Sequence, residues 1–209
     1  MACEDIGAYQ GLREHFVTSV IAIDPTGDCQ QVKVGMTSPG PVQNDEMLSR
    51  FVFAPVHLSK NTGEIDETVI LDAFRIGASV NRIDTTWEQA LPALHADGET
   101  QAERIRIGSG LRPPQPGRQY MGIVQFHAQA LREISVDALH ARIRIYDTSL
   151  LENCLHADLI ANASNLEKAF KHQLRVKLFL LARDAGLFLS PTANPRLETS
   201  KLGMQIHLP

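Results

Sequence analysis

The stretch ARIRIYDTSLLENCLHADLI, residues 141–160, decides the fold. Its opening alternates. Ala141, Ile143, Ile145 and Asp147 share one side, and Arg142, Arg144 and Tyr146 share the other. That period of two predicts a strand with one face on a core. "DTS" follows and has turn chemistry, because an aspartate side chain accepts from backbone N–H groups two residues on. Glu152, Asn153, Cys154, His156 and Asp158 come next and admit two readings. In the leading one the strand ends in a hydrogen-bonded polar corner, where the histidine fixes the turn through a backbone carbonyl. Asp147, on the apolar side, then needs a partner, since burying a bare carboxylate is costly. In the other reading His57, Asp147, Asn153 and His156 gather at one end of the sheet as a general base with its orienting groups. A hydrolase or transferase acting on a phosphate-containing ligand would fit them. Glu152, His156 and Asp158 could share a helical face as metal ligands, but no second histidine completes a known motif. Neither a metal nor a cofactor is expected.

Outward from this stretch, "ERIRIG" at 103–108 repeats the alternation, with Arg104 and Arg106 opposite Ile105 and Ile107. Two arginine-studded strands predict a half-exposed sheet with a basic outer face. "QYMGIVQFH", 119–127, is apolar on both sides in its first half, as a central strand would be. Near the start, "HFVTSVIAID" and "CQQVKVGMT" flank the turn "DPTGD" and predict a hairpin within residues 1–40. "LSRFVFA" is a strand or short helix ended by Pro55. "TTWEQALPALHADGET" is a short helix limited by Pro92. The loop "GSGLRPPQPGRQ", 108–119, is a possible division between two lobes. "SNLEKAFKHQLRVKLFLLARDAG", 164–186, carries Leu166, Phe170, Leu174, Leu178 and Leu181 as one stripe, with Lys168, Lys171 and Arg175 beside it. Ser164 and Glu167 form a capping-box pattern, and Gly186 suits a C-cap. The fold class expected is α+β: a mixed, mostly antiparallel sheet with a long C-terminal amphipathic helix packed on one face. A single domain spanning 1–209 accommodates all of this.

Composition sets the outer bounds. The 209 residues are 44% apolar and 21% charged, ordinary for a globular domain. No apolar run approaches the roughly 18 residues that a membrane span requires. The acidic start "MACEDIGAYQ" carries no secretory pattern. Cys3, Cys29 and Cys154 give an odd count without paired spacing, which points to a reducing cytoplasm rather than a disulfide framework. Charge is uneven: residues 41–99 hold ten acids against four bases, and residues 100–146 hold three acids against seven arginines. That split suggests an arginine-rich surface for a polyanion or an acidic partner. Arg104, Arg106, Arg142, Arg144, Lys168, Lys171 and Arg175 would meet phosphates, and Tyr146 would stack a base.

Two motifs taken together look familiar. "LSRFVFAPVHLS…AF…GASVNR", within 48–82, and "YDT…EN-x-x-HA-[DE]-[IL]", at 146–159, resemble a family of small uncharacterised bacterial proteins. Where those proteins carry proline ahead of the His-Ala step, this chain has Cys154 and Leu155. The resemblance implies no activity. It draws attention to Arg50, His57, Ser79, Asn81, Arg82, Asp147, Asn153 and His156. With no complete catalytic motif present, the function expected is that of a non-catalytic accessory or adaptor component of a bacterial multi-protein system. It would contact protein, with nucleic acid as a second candidate partner, and no membrane.

Overall fold

A computed structural model describes residues 3–7, 13–33, 37–108, 113–136, 141–163, 167–193 and 206–207. The strands are β1 (Met47–Ala54), β2 (Ala78–Ile83), β3 (Gln119–His127), β4 (Ser135–Val136), β5 (Ala141–Asp147), β6 (His156–Ala161), β7 (Leu187–Leu189) and β8 (Ile206–His207). They form one sheet in the order β4-β5-β6-β2-β1-β3-β7-β8, antiparallel except at β7–β8. The helices are α1 (Glu4–Gly7), α2 (Phe16–Ile23), α3 (Thr68–Leu71), α4 (Trp87–Ile107), α5 (Ala128–Glu133) and α6 (Lys168–Ala185). The α+β class and the mostly antiparallel sheet hold.

The alternation at 141–147 sets the two sides of the sheet. Ile143 and Ile145 face a core shared with Leu48, Val52, Val80, Leu159 and the α3 and α6 side chains Val69, Ile70, Leu174 and Leu178. On the opposite side, Tyr146 and Ile160 meet Phe16, Val17 and Val20 of α2. Farther along that side, α4 lays Leu94 and Ala102 on Phe53, Tyr120 and Ile123. Both sides of the sheet are therefore covered.

Three expectations are corrected. First, "HFVTSVIAID" is helical where its β-branched residues read as strand. Phe16, Val17 and Val20 lie on one helical face, and docking that face on Tyr146 and Ile160 outweighs a weak intrinsic preference. "CQQ" continues as a tight helical turn, Asp28–Gln31, so these segments form no hairpin; residues 34–36 lie outside the described ones. Second, Pro92 does not end its helix. It sits in the second turn of α4, and the helix continues to Ile107, carrying "ERIRI" with it. Gly98 is required there, because the Tyr120 ring lies 2.3 Å from where a Cβ would stand. Third, Cys3 and Cys29 are joined in a disulfide with Cα atoms 5.3 Å apart. An odd count leaves one cysteine over, here the exposed Cys154; it does not forbid a pair. The capping-box Ser164 lies outside the described residues. Among the described residues no helix is long and apolar enough to cross a membrane.

Candidate functional site

Residues 148–155 join β5 to β6, and their foot is polar. Thr148 Oγ1 donates to Asp158 Oδ2 at 2.9 Å. His156 Nδ1 lies 3.0 Å from Thr148 Oγ1 and 3.0 Å from the Thr148 carbonyl. A carbonyl only accepts, so this network assigns the proton to Nδ1. Ser79 Oγ reaches Asp158 Oδ1 at 3.5 Å. Asn153 Nδ2 donates to Asn81 Oδ1 at 2.8 Å, and Asn153 Oδ1 accepts from the Leu155 N–H at 3.1 Å. The backbones of Leu150 and Asn153 exchange hydrogen bonds of 2.9 and 3.0 Å. The turn is thus tied to β2 and β6 by side chains and closed on itself by backbone.

Asp147 is buried on the other side of the sheet. Ser38 Oγ donates to it, and Arg82 Nη1 lies 4.0 Å from its Oδ1. Arg82 binds Glu46 through bonds of 2.7 and 2.6 Å, in the fork geometry of guanidinium with carboxylate, and donates to the Gly40 carbonyl at 2.6 Å. This network fastens residues 38–46 to the sheet. Arg50 does the same for α3, donating to Asp72 at 2.7 Å and to the Ser79 carbonyl at 2.8 Å.

The four candidate catalytic residues therefore do not converge. Asp147 shares the side of Ile143 and Ile145, while His156 shares the side of Asp158 and Ile160, because adjacent strand positions point oppositely. Asn153 meets His156 through the backbone, its carbonyl accepting the His156 N–H at 3.2 Å, while its side chain turns to Asn81. His57 follows β1 at the end away from Met47, which pairs with Ile83, so it lies roughly 20 Å from the turn by strand rise. Its Nδ1 accepts the Phe53 N–H at 3.1 Å. Burial first, then the Arg50 and Arg118 charges, holds its pKa down at about 3, so the ring is neutral. His57 is a buried strut of the bend after Ala54.

The basic outer face is also corrected. Arg144 is 2% exposed. It donates to the carbonyls of Asp24 and Pro25, and its neighbour Tyr146 donates to Asp24 Oδ2 at 2.9 Å. Asp24 also accepts the N–H groups of Gly27, Asp28 and Cys29. Burial, foremost, pushes the Tyr146 hydroxyl pKa upward. Neither residue can meet a nucleic acid while the N-terminal segment covers it. Arg104 and Arg106 stand on α4, facing Glu152 at 4.0 Å and paired with Glu103 respectively. Arg175 pairs with Glu67 at 3.1 Å, and Lys171 is half-buried. Arg104, Arg142 and Lys168 are exposed.

The two leucines of "LLEN" carry no reactive group, yet they project into solvent. Leu151 is 91% exposed and Leu150 50%. The Arg104–Glu152 approach brings the end of α4, with Ile107 65% exposed, to the same corner. Among the described residues six large apolar side chains are exposed, and two of them, Leu150 and Leu151, are neighbours on this turn. The signal available was a pair of leucines inside an otherwise polar turn. Among the described residues no cluster of histidine, cysteine, aspartate and glutamate could hold a metal. Comparison with protein-family models, with curated proteins and with solved structures finds no match.

Proposed function

We propose that the chain is a non-catalytic component of a bacterial multi-protein system that recognises a protein partner through the Leu150–Leu151 tip of the 148–155 turn. The observation that carries this reading is an apolar tip on a rigid polar foot. An apolar side chain held in place before contact loses little freedom on binding, so more of its burial appears as affinity. Burying a leucine fully is worth about 2 kcal/mol. The exposed Glu152 beside the leucines fits a partner whose apolar recess has a basic rim.

The experiment compares the full chain with Leu151→Asp by quantitative co-purification from the source cells. The expected result is a stoichiometric protein that accompanies the unaltered chain and is lost from the variant at unchanged melting temperature. Identical co-purification by both chains overturns the proposal. A nucleic-acid contact would use the exposed Arg104, Arg142 and Lys168, and a gel shift on Arg142→Glu with RNA and DNA tests it. The enzyme reading keeps one supporting observation: with Nδ1 protonated, His156 Nε2 carries the lone pair of a base. Turnover of a phosphate ester lost in His156→Ala at unchanged melting temperature would favour it.

A further inference from the structure

We infer that residues 3–7 and 13–33 form a clamp over the outer side of β5 that a thiol reductant releases by opening the Cys3–Cys29 bond. The bond ties the short helix α1 to residues 28–31 across a separation of 26 residues. Of the α1 side chains described, Ile6 is the one buried; Glu4 and Asp5 are exposed. A four-residue helix with one apolar anchor does not hold itself in place, so the covalent link is its main fastening. What lies beneath is unusual. Arg144 and Tyr146 are polar side chains on a sheet face, made tolerable by the groups that residues 24–29 supply. The edge of β5 is involved as well. The β4 register reaches Ala141 and Arg142, and the Ile145 N–H is taken by the Gln30 side chain at 2.9 Å. The clamp thus hides an arginine–tyrosine strip and covers a strand edge.

The chemistry balances with a dithiol such as dithiothreitol. One of its thiolates attacks the Cys3 sulfur, the half-buried and therefore more accessible of the two. The S–S bond breaks, and the Cys29 sulfur leaves and takes up a proton. The second thiolate of the reductant closes on the mixed disulfide, releasing Cys3 as a thiol and the reductant as a cyclic disulfide. The chain gains two protons and two electrons, which the reductant loses. Closing a loop of this length favours the docked state by a factor on the order of a hundred.

Hydrogen exchange on the full chain, followed by mass spectrometry with and without dithiothreitol, tests the clamp. Reduction is expected to speed exchange about a hundredfold in 13–33 and 144–146, with β1 and β3 unchanged. Cys3→Ser is expected to show the fast pattern without reductant and to gain nothing from it. Unchanged exchange in 13–33, or equal acceleration in β1 and β3, overturns the inference. So does alkylation of Cys3 and Cys29 in the air-oxidised chain, which would show the bond absent.

Discussion

The middle of β5 and the turn just beyond it are built oppositely. Toward its middle, Arg144 and Tyr146 are polar groups sealed beneath α2 and the Asp24 loop. Just past its end, the 148–155 turn has a sealed polar foot and an apolar tip in water. In both places the groups that look like chemistry serve as fastenings. The buried carboxylates and the imidazole are engaged by backbone or by a neighbour, and the large apolar residues left open are leucines. The difference teaches that the reactive appearance of residues 144–160 reflects what it takes to hold loops on a sheet, while exposure marks where contact is made.

The sharpest way to break this comparison is at the sealed end. Asp24→Ala leaves Arg144 a buried charge short of a neighbouring anion and orphans three backbone N–H groups. A loss of about 3–5 kcal/mol in urea unfolding is expected. A loss below about 1 kcal/mol would mean that the N-terminal segment is not fastened there. Next comes Arg82→Met, which strands Glu46 and the buried Asp147. A loss of about 3 kcal/mol is expected in urea unfolding.

His57 sharpens the comparison by pH. Unfolded, its imidazole titrates near 6.5; folded, at about 3. Between those values the unfolded chain binds the extra proton, so stability falls as pH drops, by up to about 1.4 kcal/mol per unit. His57→Gln should flatten that limb between pH 6 and 4 in urea titrations. A limb of the same slope in the variant would assign the effect elsewhere. The smallest effect is at the open end. Leu151→Asp should change unfolding stability by less than about 0.5 kcal/mol, because the side chain touches water in the folded state already.

Much of the sheet was legible. The alternation at 141–147 and the apolar run at 119–127 are strands, and the leucine stripe at 174 and 178 lies in the main core. What failed had physical reasons. A short β-branched run such as 16–23 does not say which element will dock on it, and here a helical face met Tyr146. Four alternating residues, 104–107, do not distinguish a strand from the last turn of a long helix. The exposure of Arg144 could not be read locally, since its cover lies about 120 residues earlier. For the candidate site, the pairing of Asn153 with Asn81 and of His156 with Thr148 agrees with a turn-fixing role. The separation of His57 and the opposite facing of Asp147 depend on strand order and register, which no local pattern encodes.

The most direct test is the melting temperature of His156→Ala. His156 joins the Thr148 carbonyl and hydroxyl inside the foot of the turn, so removing it leaves a buried carbonyl without its donor and a void. The expected loss is about 1–3 kcal/mol, a fall of roughly 3–10 °C for a domain of this size. A variant that melts with the unaltered chain would contradict the fastening role and hand the residue back to chemistry.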